Sequence, residues 1–137
     1  MFAEFEKMTH AAAEAGEALT HESMCKMYGD LNALYYGPQI ARDDTISYEW
    51  ARIPHFYNAF YVYKYATGFS CAVKIASDIL SGKKDAVRDY IRFLSSGGSD
   101  YPLELLKLAH VDLAGGEPVE VCMQEFAKAL GEFEEML

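Results

Sequence analysis

Residues 56–80 read FYNAFYVYKYATGFSCAVKIASDIL, the longest stretch of helical periodicity in the chain and the one that decides its fold class. Apolar residues recur every three to four positions, β-branched residues never alternate over four or more positions, and Ser81-Gly82 closes the run. A helix over the whole stretch, Phe56 to Leu80, would be roughly 37 Å long at the standard rise. Toward the N-terminus, Pro54 interrupts the pattern, and Asp43-Asp44-Thr45 opens a short helix through Trp50. Thr20 is a good N-cap for a helix through Met24, Met27, Leu31, Leu34 and Tyr35. Gly37-Pro38 ends it, since glycine takes the left-handed cap and proline cannot continue. Before it, Phe2, Phe5, Met8 and Ala12 share a helical spacing that stops at Gly16. Toward the C-terminus, Lys84 to Ser95 carries Val87, Tyr90, Ile91 and Leu94 on one face and stops at Gly97-Gly98. Asp100-Tyr101-Pro102 starts a short helix through Leu105, Leu106 and Leu108, and Gly115-Gly116 breaks again. Pro118 then sits in the first turn of a last helix running to Leu137. No internal repeat or low-complexity linker divides the chain. The expected fold is all-α, a multi-helix bundle of about seven helices in a single domain over residues 1–137.

Composition narrows the function. A chain of 137 residues can bury about two-thirds of its unfolded surface, enough for one core. With 51% apolar and 24% charged residues it reads as folded, not disordered. A net charge of -9 argues against a nucleic-acid partner, because the densest basic run, Lys83-Lys84, is followed at once by Asp85. Cys25, Cys71 and Cys122 are odd in number and form no CxxC pair, which fits a reducing, cytoplasmic setting. No apolar stretch approaches bilayer length, so no membrane partner is expected. Glu4 and Glu6 stand where a signal peptide would be basic, so no leader is expected either.

The chemistry concentrates between Tyr48 and Tyr65. Eight of these eighteen residues are aromatic, against 14% in the chain as a whole. On a helix, Phe56, Tyr57, Phe60, Tyr61, Tyr63 and Tyr65 would go nearly all the way round, with Tyr57, Tyr61 and Tyr65 roughly on one face. A buried phenol needs a partner for its hydroxyl, and five are hard to satisfy in a dry core. One reading is therefore a row of hydrogen-bond donors lining a cleft, with His55 at its head. Neutral histidine and phenols donate to a developing oxyanion without adding a full charge. The other reading is an aromatic packing cluster entered by a histidine.

Other signals are weaker. His21-Glu22-Ser23-Met24-Cys25 begins like the HExxH zinc motif but has cysteine in place of the second histidine, and no third ligand follows at a sensible offset. It reads as an ordinary first helical turn. His10 and His110 are isolated and read as surface or helix-end residues. Ser95-Ser96-Gly97-Gly98-Ser99 follows a helix, not a strand, so it reads as a cap and turn. Glu132, Glu134 and Glu135 read as a solvated helix end.

Several blocks in order resemble the C-terminal part of oligoendopeptidase F, a thimet-type zinc metallopeptidase. They are Met1-Phe2-Ala3-Glu4-Phe5-Glu6, Tyr35-Tyr36-Gly37-Pro38, Glu49-Trp50-Ala51-Arg52-Ile53-Pro54-His55-Phe56-Tyr57, Phe60-Tyr61-Val62-Tyr63-Lys64-Tyr65-Ala66-Thr67-Gly68 and Ser96-Gly97-Gly98-Ser99-Asp100-Tyr101-Pro102. The resemblance covers almost the whole chain and is weakest after Val111. It implies the C-terminal helical lobe of a larger, mostly helical enzyme that hydrolyses short peptides in a deep channel. In that family the zinc ligands come from an HExxH helix and the helix after it. Both precede the stretch matched by Met1-Phe2-Ala3-Glu4, so the resemblance implies no metal site or cofactor in this chain, zinc in the full-length enzyme, and no activity alone. It also implies that a histidine and tyrosines of the later segment bind the substrate backbone and the oxyanion. By position these are His55, Tyr57 and Tyr61 as catalytic groups, and Tyr63, Tyr65 and Arg52 as substrate-binding groups. The alternative is a free-standing helical interaction module that self-associates, its exposed apolar surface covered in a homodimer. A weaker alternative is a bundle holding an apolar or aromatic ligand between tyrosine-rich helices.

Overall fold

A computed structural model describes residues 1–137 with the exception of Arg42. The expected all-α class holds: the described residues form α-helices, short 3-10 helices and turns, and no strand occurs among them. The α-helices are α1 (Phe2–Glu14), α2 (His21–Tyr36), α3 (Tyr63–Leu80), α4 (Ala86–Ser95), α5 (Pro102–Lys107) and α6 (Glu117–Glu134). Stretches of 3-10 helix span Asp44–Arg52, Pro54–Tyr57 and Leu113–Gly115. The chain divides into two compact units, Met1–Lys64 and Tyr65–Leu137.

The ends of these elements follow from local chemistry. The Thr20 hydroxyl accepts the Ser23 N–H at 3.2 Å and starts α2. Gly37 ends it at φ +70°, a backbone that only glycine adopts without strain. The Asp43 carboxylate accepts the Thr45 N–H at 2.8 Å and starts the 3-10 helix that leads to the site. Pro102 and Pro118 occupy the first turns of α5 and α6, where a missing N–H costs nothing.

Two sequence expectations are corrected. The helix expected from Lys84 begins at Ala86, because Asp85 takes a left-handed backbone at φ +65°. More important for function, the helix expected from Phe56 begins only at Tyr63. Pro54–Tyr57 is a separate 3-10 turn, and Phe60 sits in the left-handed region at φ +55°. A left-handed residue cannot lie inside a right-handed helix, so Tyr57, Tyr61 and Tyr65 do not form one helical row.

The first unit is built round aromatic rings. Phe5 and Tyr28 are fully enclosed and Leu31 nearly so, with Met8, Met24, Met27, Trp50 and Phe56 packed against them. Phe5 meets Tyr28 and Phe56 edge-on, at ring-centroid distances of 5.2 and 5.3 Å. Each such side chain is worth about 1.5–3 kcal/mol of burial. Phe56 thus pins the short turn that carries His55 and Tyr57 to the core.

In the second unit Cys71 and Ile75 of α3 pack with Ala109 and Val111, and Ile79, Tyr90, Phe93, Leu106 and Leu113 close round them. Lys74 is buried there, its ammonium 2.7 Å from Asp78 and 3.4 Å from Glu117. Burial alone would lower that ammonium's pKa, but the bond to Asp78 raises it above the ordinary lysine value. By contrast, Val87, Ile91 and Leu94 of α4 are exposed, as are Val119, Met123, Phe126, Leu130 and Phe133 along α6. No described helix is long and apolar enough to cross a membrane.

Candidate functional site

The candidate site lies in the first unit, on the segment that runs from the 3-10 helix at Asp44–Arg52 to the start of α3. Its foundation is a charged relay on the core. The enclosed Tyr28 hydroxyl donates to Glu49 at 2.6 Å. The other oxygen of Glu49 accepts from the Arg52 guanidinium. Burial first, and then the bond to the Glu49 carboxylate, pushes the Tyr28 phenol well above its usual range, so it stays a donor. The relay fixes the residues immediately before Pro54 and His55.

Above this foundation the candidates part company. His55 is exposed, and its ring lies tilted against the half-buried Tyr61 ring with centroids 5.4 Å apart. The Lys64 ammonium sits 5.2 Å from the centre of the same Tyr61 ring, a cation–π distance. Tyr57 is 77% exposed, and its hydroxyl turns back to donate to the Ala51 carbonyl at 3.1 Å. Tyr63 is exposed at the first position of α3. Tyr65 is exposed and belongs to the second unit. Arg52 is exposed but committed to Glu49. Within the first unit the structure therefore brings His55 and Tyr61 together, and sends Tyr57 elsewhere.

The tyrosines of this segment are not sealed in a dry interior. The segment's largest apolar contributions to the core are Trp50 and Phe56, which carry no phenol. Beside them lies a cleft of about 270 Å³ lined by Phe5, Glu6, His10, Trp50, Phe56 and Tyr57. The Trp50 indole N–H faces no acceptor among the described residues.

Several contributors were missed by sequence reasoning. Lys64 and Glu49 act through long side chains whose targets only the fold reveals. His10 stacks on the Phe60 ring at 4.3 Å, and Glu6, buried at 5% exposure, accepts the Phe60 N–H at 2.8 Å. One signal was available: Glu6 falls four residues after Phe2 and next to Phe5, on the buried side of α1. A carboxylate there needs a specific partner.

His21 and Cys25 do meet, at 3.5 Å across one turn of α2. No group of three His, Cys, Asp or Glu side chains gathers round them, or anywhere else among the described residues. The donor set of these residues does not fit a zinc ion, which takes at least three protein ligands.

Residues 1–125 match the model of peptidase family M3. The chain is 48% identical over 137 residues to the oligopeptidase PepF of Bacillus subtilis (strain 168), covering 100% of this chain and 20% of that protein. It is 40% identical over 136 residues to the plasmid oligoendopeptidase F of Lactococcus lactis subsp. cremoris, covering 99% and 23%. The crystal structure of oligoendopeptidase F from Enterococcus faecium superposes with a TM-score of 0.92 at 46% identity, over 98% of this chain and 26% of that one. The chain thus spans between a fifth and about a quarter of the length of these relatives. With the family model matched over most of its length, the chain belongs to peptidase family M3.

Proposed function

We propose that residues 1–137 act together as the C-terminal substrate-cleft lobe of an oligoendopeptidase F-type metallopeptidase that hydrolyses short peptides. The observation that carries this reading is the His55–Tyr61 pair, two rings with hydrogen-bonding groups set side by side next to the turn that Phe56 anchors in the core. Such groups stabilise a peptide carbonyl oxygen as it gains negative charge, and do so most in the transition state. Tyr61 is the principal donor and His55 its partner. Tyr63, exposed at the first position of α3 in the same unit, binds the peptide backbone beside the scissile bond.

Zinc, in this reading, is held by residues outside these 137, and the chain alone does not turn over peptide. The short coverage of the relatives supports that division of labour. So do the apolar faces on α4 and α6, which suit cover by the remainder of a longer polypeptide. In the isolated chain the same faces are offered to a second copy, which is the basis for a homodimer. Three free cysteines support a reducing compartment, the cytoplasm.

The test uses the full-length enzyme and an internally quenched peptide. Tyr61→Phe and His55→Ala are each expected to lower kcat by about 100- to 1,000-fold with little change in KM. Wild-type kcat in both variants would refute the assignment.

A further inference from the structure

The segment between Tyr57 and Tyr63 holds a backbone that its sequence disfavours. Phe60 is a bulky residue at φ +55°, where a side chain normally clashes and where glycine or asparagine is the usual occupant. Such conformations persist only when surrounding contacts over-determine them, and they cluster at functional segments. Two contacts from α1, far away in sequence, act on this one residue. The Glu6 carboxylate accepts the Phe60 N–H at 2.8 Å, and the His10 ring stacks on the Phe60 ring at 4.3 Å with the planes 27° apart. Glu6 and His10 lie one helical turn apart, so both point from the same face of α1. Glu6 is nearly fully buried yet carries this bond to a loop whose Phe60 side chain is exposed.

The next residue in the chain is Tyr61. Turning Phe60 back to an ordinary backbone angle would swing the Tyr61 ring away from His55, because φ and ψ of residue 60 set the direction of everything that follows. We propose that Glu6 is a positioning residue: its carboxylate latches the left-handed Phe60 and thereby holds Tyr61 beside His55, with His10 bracing the ring. This rests on the assignment of Tyr61 as a donor to substrate.

The experiment compares Tyr61→Phe, Glu6→Ala, Glu6→Gln, Phe60→Gly and the double variant Glu6→Ala/Phe60→Gly in the full-length enzyme. A misplacement of about 1 Å costs on the order of 100-fold in rate, so Glu6→Ala is expected to lower kcat by about 10- to 100-fold with KM nearly unchanged. Glu6→Gln keeps an acceptor oxygen and restores the rate that Glu6→Ala loses. Glycine at position 60 adopts the left-handed angle freely, so Glu6→Ala should cost a smaller factor in the Phe60→Gly background than in the wild type. A merely structural Glu6 would give strictly multiplicative losses, no rescue by glutamine, or a loss carried by KM. Any of these overturns the latch, as does a wild-type kcat in Glu6→Ala. If Tyr61→Phe itself leaves kcat unchanged, the donor assignment fails, and the latch, having no functional cargo, falls with it.

Discussion

Replacing Tyr28 by phenylalanine removes one oxygen from the best-enclosed side chain of the first unit. The ring stays, and with it the edge-on contact to Phe5. What is lost is the 2.6 Å bond from the hydroxyl to the Glu49 carboxylate. Bonds to charged acceptors contribute about 1.5–3 kcal/mol. Glu49 keeps its Arg52 partner, and its side chain is 18% exposed, so water replaces part of what the phenol supplied. That places the cost at about 2 kcal/mol, within the range for a bond to a charged group. Trp50 is the single tryptophan in the chain and packs 6.4 Å from Phe5, so its fluorescence in urea follows this unit specifically.

The pH dependence has a definite sign. The folded-state pKa of Tyr28 is raised, so its contribution is complete below the unfolded phenol value of about 10 and is lost as pH climbs above it. The difference between wild type and Tyr28→Phe should hold steady through neutrality and shrink above about pH 10. A cost below about 0.5 kcal/mol at neutral pH would refute the reasoning, because an exposed or already broken bond would behave that way. So would a difference that persists undiminished in alkali.

Asp89 in the second unit is held below the ordinary carboxylate range, first by the bond from Arg88 and then by that from His110 at 2.8 Å. Its contribution is complete above the unfolded value of about 3.9 and is lost as pH falls through the lower folded one. Thermal melts followed by circular dichroism should therefore show Asp89→Asn below wild type at neutral pH, with the two converging in acid. Burial pushes the Cys71 thiol up, while Cys25 and Cys122 are only half-buried. A thiol reagent counted by mass spectrometry should label Cys25 and Cys122 well before Cys71 in the native chain, and equal rates would contradict the packing of that core.

The helices at either end of the chain were legible because their signals are local. Thr20 caps α2 through a residue three positions away, Gly37 ends it at φ +70° though with ψ extended at -177° and not in the left-handed helical cap expected of it, and Pro118 occupies the first turn of α6. The segment that matters most was misread for the opposite reason. The aromatics from Phe56 to Tyr65 repeat at intervals that imitate a helix, yet Phe60 is set by a carboxylate 54 residues away. No window around Phe60 contains that information. The break also explains why Tyr57, equal to Tyr61 by spacing, differs from it in space: without a continuous helix, its hydroxyl folds back on Ala51. The family's motif pointed to His55 and the tyrosines together, and only geometry separates them. Lys64 and Glu49 stand inside the sequence blocks that carry the family resemblance, but their partners, the Tyr61 ring and the Tyr28 hydroxyl, are set by the fold and not by spacing.

The clasp between Lys74, Asp78 and Glu117 has a mechanical side. It moors α6 at its root, where Pro118 is buried, while the outer turns reach into solvent. At 18 residues the helix extends about 27 Å from that mooring. A tilt of about 10° at Glu117 would carry the helix near Phe133 through about 4 Å, the geometry of a boom whose tip magnifies small adjustments at its buried pivot.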